Sequence, residues 1–193
     1  MLRAILIAGL IAPHTASSQA PPPPPPVRQR TRILILYGHN PNAPGVVQFI
    51  QRLKPIVREQ VPTGLEIYDE NLDLDRFTDL ARSRQLVAYF ADKYRGVRPD
   101  VIVTEGSAAL QFATERLRHL FPDVAIVYGD AFEPTFHFST LPAHVIGRRL
   151  SVPFAQTFAL AHALQPNVER VVLVAGSAWT DSIMAAEAVH QIT

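Results

Sequence analysis

Arg32-Ile33-Leu34-Ile35-Leu36-Tyr37-Gly38-His39-Asn40 is the stretch on which the reading of this chain turns. Ile33 to Tyr37 are apolar without interruption, bounded by Arg32 and a glycine. A strand with one wet face alternates polar and apolar residues, so an unbroken run describes a strand covered on both faces, as in parallel sheets. The Gly38-His39-Asn40 that follows suits a tight turn into a helix. The same grammar recurs downstream. Val101-Ile102-Val103 leads to Glu105-Gly106-Ser107, and Val124 to Tyr128 leads to Gly129-Asp130-Ala131-Phe132. Leu65 to Tyr68 runs into Asp69-Glu70, and His144-Val145-Ile146-Gly147 reads as a weaker fifth strand.

Helical spacing fills the intervals. Gly45 to Val61 carries Val46, Phe49, Ile50, Leu53, Ile56 and Val57 on one face, with Pro55 a local cost to that helix. Asp75 to Gly96 carries Phe77, Leu80, Val87, Phe90 and Tyr94, with Gly96 suited to end it. Ser107 is placed to cap a third helix whose stripe is Leu110, Ala113, Leu117, Leu120 and Phe121. Apolar strands separated by such helices predict an α/β fold, a doubly wound and mostly parallel sheet. Beyond it, Phe154 to Leu164 reads as a helix, Val171 to Val174 as another buried strand, and the segment from Thr180 as a last amphipathic helix. If that strand joins the first sheet the fold is one six-stranded domain; if it starts a second sheet, its partners are missing and the chain is a fragment.

The N-terminus predicts export. Met1-Leu2-Arg3 is a short positive start, Ala4 to Ala12 are apolar, and Ser18-Gln19-Ala20 closes a small-residue region, the order of a cleaved secretory signal. Cleavage is expected after Ala20, giving a periplasmic protein. The alternative is an uncleaved anchor, although the apolar run falls well short of the roughly 20 residues that span a bilayer. Pro21 to Pro26 form a stiff spacer of roughly 19 Å at about 3.1 Å per residue, within a linker spanning residues 21–31.

Composition removes several function classes. The chain has no cysteine, so it holds neither a disulfide nor a thiolate metal site. Its 18 Lys+Arg and 17 Asp+Glu are scattered, whereas nucleic acid requires a concentrated positive surface, so no nucleic-acid partner is expected. There is no G-x-G-x-x-G, phosphate-binding lysine loop, G-x-S-x-G elbow or H-E-x-x-H, and neither cofactor nor metal is expected. His137 and His144 lack a ligand spacing and read as surface residues. Ser107, His39 and Asp130 can be drawn as a triad, but polar strand ends permit that drawing in any such sheet, and no catalytic residue is assigned.

In open parallel sheets ligands sit beyond the carboxyl ends of the strands. The candidate ligand-binding residues are therefore Tyr37, Gly38, His39 and Asn40; Glu105, Gly106 and Ser107; Gly129, Asp130 and Phe132; and Ser177 with Trp179. Glycines and Ser107 would let a ligand approach backbone N–H groups. Tyr37, Phe132 or Trp179 would give an apolar wall, and Asn40, Glu105 or Asp130 would fix polar groups.

A family resemblance accounts for the whole pattern. Ile33 to Tyr37, Asn71-Leu72-Asp73-Leu74-Asp75-Arg76-Phe77, Lys93-Tyr94 with Arg98-Pro99-Asp100-Val101-Ile102-Val103, Leu120 to Val127, and Leu164-Gln165-Pro166-Asn167-Val168-Glu169-Arg170-Val171 to Gly176 occur in order. Together they resemble the ABC-transporter substrate-binding-protein-like domains of the type 1 periplasmic-binding fold, which also serve as sensory ectodomains of bacterial histidine kinases. The resemblance implies two lobes joined by a hinge with a small organic solute between them. Residues 32–146 would form the first lobe, 147–150 the crossing, and the remainder to 193 the start of an incomplete second lobe. It implies a membrane permease or a kinase module as partner. No phospho-accepting histidine segment or ATP-binding motif is present, so these residues do not carry out phosphotransfer. The expectation is an exported, non-catalytic solute-recognition module. The alternatives are a truncated product that binds nothing and an exported enzyme on a flavodoxin-like sheet.

Overall fold

Five strands form one sheet in which every pairing is parallel, in a computed structural model that describes residues 30–193 apart from 75, 78 and 178. The expected signal and most of the proline-rich linker lie outside the described residues. The strands are β1 (Thr31–Tyr37), β2 (Leu65–Asn71), β3 (Val101–Glu105), β4 (Ala125–Phe132) and β5 (Val145–Leu150), in the order β2-β1-β3-β4-β5. The linker expected to run through Thr31 thus ends a residue earlier, because Thr31 already pairs with Leu65.

Alternation along β1 explains why its run is unbroken. Leu34 and Leu36 join Ile102, Ile126 and Tyr128 beneath Leu86 and Phe90 of α2 (Leu80–Lys93) and Leu110 of α3 (Ser107–Gln111). Ile33, Ile35 and Tyr37 join Val103 beneath Val46, Phe49, Ile50 and Leu53 of α1 (Pro44–Gln60). At β1 and β3 the sheet is thus covered on both faces and doubly wound, whereas Val127 of β4 and Ile146 of β5 are 37% and 62% exposed. Each such side chain removed from water contributes about 1.5–3 kcal/mol, which is why these central strands are fixed so firmly by sequence.

Several local expectations are corrected. The second helix begins at Leu80, where the Asp79 carboxylate accepts from the Arg82 N–H at 2.7 Å; Phe77 lies before it and is 49% exposed. An N-cap so well satisfied starts the helix there, in preference to extending the apolar periodicity backwards. Ser107 is the first residue of α3, and the N-cap is Gly106. The helix continues as a π turn over Phe112–Arg116 and a 3-10 turn over Leu117–His119, with Thr114 Oγ1 donating to the Leu110 carbonyl at 2.9 Å. Residues 147–150, expected as a crossing between lobes, belong to β5: Gly147 pairs with Tyr128, Arg149 with Ala131 and Leu150 with Phe132.

The largest correction is Val171 to Val174. They form no strand, and Val172 and Val174 are 74% and 87% exposed. A strand needs a neighbour for its hydrogen bonds and cover for its side chains. The preceding helix α4 (Phe154–Leu164) has no buried residue, so it does not dock on the sheet and does not deliver the run to the free edge of β5. The last helix, α5 (Trp179–Ile192), packs against α4 and the turn at Glu133–Thr135. Among the described residues no helix is long and apolar enough to cross a membrane.

Candidate functional site

From β1 the chain passes to β2 on one side, and from β2 it returns across β1 to β3 on the other. The helices that follow β1 and β3 therefore lie on opposite faces, and the carboxyl ends of these two strands mark the switch point at which sheets of this kind form a ligand crevice. Tyr37 and Glu105 are register partners there.

Backbone bonds hold the crevice together. The Gly38 N–H donates to the Glu105 carbonyl at 3.0 Å, and the Gly106 N–H donates to the Gly129 carbonyl at 3.1 Å. Gly106 has φ of 82°, and a Cβ there would lie 2.4 Å from Cε1 of His39. The imidazole thus rests on the α-carbon of Gly106, and both the backbone angle and the lack of a side chain are required. A Cβ at Gly38 would stand 3.0 Å from the Ala109 nitrogen, so this turn also passes tightly against α3.

Side chains give the crevice an acidic floor. Glu105 is 4% exposed, and His39 Nδ1 lies 3.4 Å from its carboxylate. That is longer than an ordinary N–H···O bond of about 2.7–3.2 Å. Tyr37 donates to Asp69 Oδ1, while Lys54 of α1 donates to Asp69 Oδ2 at 2.8 Å. Burial first, then the bond to Asp69 and the Asp69 and Glu105 charges, push the Tyr37 hydroxyl far above its ordinary range, so it remains a protonated donor.

The predicted residues separate into groups. Tyr37, Gly38, His39, Glu105 and Gly106 converge, with Gly129 tied to them through its carbonyl. Ser107 serves a different purpose from the expected cap. Its Oγ accepts from the Phe132 N–H at 2.9 Å and lies 2.6 Å from Thr135 Oγ1, whose hydroxyl also reaches the Phe132 carbonyl at 2.8 Å. This ties the start of α3 to the end of β4. The expected apolar wall is closed: Tyr37 and Phe132 are 6% and 8% exposed. Asn40 is exposed and organises its own turn, accepting from the Asn42 N–H at 3.0 Å. Asp130 is exposed at the irregularity between Tyr128 and Ala131, with φ of 53°. Ser177 is exposed in the segment before α5, and Trp179 begins that helix.

Lys54 and Thr135 escaped the sequence reading. Lys54 lies within α1, remote in sequence from the strand ends, and only the winding of that helix brings it to Asp69; Thr135 stands in the turn just after β4, where a lone threonine carries no sequence signal. Two cavities lie away from His39 and Glu105. One of about 250 Å³ is bounded by Phe132, Leu150, Val152, Glu187 and Gln191, and one of about 280 Å³ by Ile102, Leu117, Arg118, His119, Ile126 and His144. No group of three or more His, Asp or Glu side chains that could hold a metal ion occurs among the described residues.

No family model matches the chain, and no curated protein matches it. Its fold is similar to that of a conserved domain protein from Vibrio cholerae O1 biovar eltor, with TM-score 0.53 and 17% identity over 73% of this chain and 46% of that one. The chain spans less than half the length of that structure, and at this identity the likeness is one of fold.

Proposed function

We propose that the chain is an exported solute-recognition lobe that binds a small organic ligand at the β1–β3 crevice, without chemistry of its own. The observation that carries this reading is the convergence of Gly38, His39, Glu105 and Gly106 where the strand order reverses. At such a point backbone and side-chain polar groups converge, as ligand recognition requires. A second lobe or partner closing over the crevice would complete the site, and a permease or kinase module would read the closure. A thermal-shift screen of amino acids, organic acids, amines and purines tests this. A ligand at a hundredfold excess over its dissociation constant adds about 2.7 kcal/mol, and Gly106→Val should abolish the shift. A shift that survives Gly106→Val places the ligand elsewhere.

A second reading, an exported enzyme, draws on the same pair, since an imidazole beside a buried carboxylate is the arrangement of a general base. The nearby hydroxyl of Ser107 is engaged with Phe132 and Thr135, which leaves that base without an adjacent nucleophile. Turnover of a bound solute, lost in His39→Ala with binding retained, would decide for the enzyme.

A further inference from the structure

The buried carboxylate of Glu105 names the chemical class of the ligand, an inference that rests on solute recognition at this crevice. Three side-chain carboxylates lie at the ends of β2 and β3, and the structure treats them unequally. Asp69 is bound by Lys54 at 2.8 Å, and Glu70 by Lys93. Glu105 is the most buried of the three, yet among the described residues its one side-chain partner is His39, at 3.4 Å. Among the described residues no lysine or arginine forms an ion pair with it.

A carboxylate has about four lone-pair sites, and one long contact leaves most of them unused. Removing it from water without a counter-charge is strongly unfavourable, whereas a cation brought to it gains a short, charge-assisted bond. A metal ion does not answer the need, because a calcium site takes about 6–8 oxygen ligands and no group of three or more His, Asp or Glu side chains that could hold one gathers there among the described residues. An anionic head group would meet Glu105 with the Asp69 charge behind Tyr37, while the nearest lysines are already committed. We propose that the crevice takes an organic amine, its ammonium group donating to Glu105 beside the His39 ring that rests on Gly106.

The test uses three probes that differ only in head group: 2-phenylethylamine, 2-phenylethanol and 3-phenylpropanoate, titrated into the full chain with binding followed by backbone amide shifts. The amine is expected to bind at least tenfold more tightly than the alcohol or the acid, with shifts centred on Gly38, Gly106 and Ser107. Glu105→Gln should erase that preference, and Glu105→Asp, which retains the charge, should keep part of it. Equal or better binding of the alcohol or acid overturns the amine class, as does a preference that survives Glu105→Gln. Silence from the amine also overturns it. If a neutral or anionic solute from the broader screen then binds in a Gly106-dependent way, solute recognition stands without the amine; if nothing binds, both fall.

Discussion

Glu70 and Glu105 are buried carboxylates at the ends of β2 and β3, the two strands that flank β1, and their surroundings could hardly differ more. Glu70, 7% exposed, is bound by Lys93, by Tyr94 at 2.7 Å and by Tyr89 at 3.3 Å. Tyr94 in turn stacks on Phe90, with centroids 5.6 Å apart, and meets Tyr68 edge-on. Glu105, 4% exposed, has one imidazole at the limit of contact. A buried charge held on every side ties α2 to β2, whereas one left with spare acceptor capacity at a crevice is available to something outside the fold. The difference lies in neighbours, since the residue type and burial are the same.

The largest effect that tests this contrast is expected from the support of Glu70. Phe90 is fully buried, and Phe90→Ala should lower stability by about 3–5 kcal/mol, read as a fall in the urea midpoint. A loss below about 1 kcal/mol would show that the aromatic stack does not hold this region. Lys93→Met should cost about 1.5–3 kcal/mol, the range for hydrogen bonds to a charged group, because it leaves Glu70 with tyrosines alone. An unchanged midpoint would mean that water reaches the carboxylate and that the two sites are alike.

Alkaline pH tests both regions together. Burial, followed by hydrogen bonds to Asp69 and Glu70 respectively, raises the Tyr37 and Tyr94 hydroxyls above their ordinary range. The bond to Glu70, followed by that to Tyr89, raises the Lys93 ammonium. Above about pH 10 the unfolded chain releases protons that the folded chain keeps, so it binds fewer protons and stability falls as pH rises. The contribution of these groups is complete below that pH and lost above it. Tyr94→Phe and Tyr37→Phe should each flatten the alkaline limb of stability against pH; a limb unchanged in both would remove these hydroxyls from the linkage.

Smaller effects belong to the other side of the comparison. Glu105→Gln should stay within about 1 kcal/mol of the parent, or rise above it, since the amide keeps the shape and sheds a poorly compensated charge. A drop as large as that of Lys93→Met would make Glu105 structural. Smallest of all, Val172→Ser should change stability by less than about 0.5 kcal/mol, as expected of a position 74% exposed. A cooperative loss there would mean that the run is buried in solution.

The fold was legible wherever a segment's own residues carried the instruction. Ile33 to Tyr37 and Val101 to Val103 announced strands covered on both faces, and the structure places them at the centre of the sheet. Val171 to Val174 carries the same signal and is not a strand, because hydrophobicity records a need for partners and cannot supply them. At the site, Gly38, His39, Glu105 and Gly106 were legible as strand ends. Their convergence was not, since it depends on which strands are neighbours. Phe132 and Ser107 illustrate the reverse: residue type suggested wall and cap, whereas packing made them a brace between β4 and α3.

By itself the sequence determined that this chain is α/β, which segments form its central strands, and that its polar residues gather where those strands end. Only the tertiary structure decided that β3 lies beside β1, that Glu70 meets a lysine and two tyrosines, and that Glu105 meets little but His39. The physical reason is range. Strand and helix preferences act over a few neighbouring residues, whereas the balance of a buried charge is settled by groups that chain winding brings together, Glu70 to Lys93 across 23 positions and Glu105 to His39 across 66.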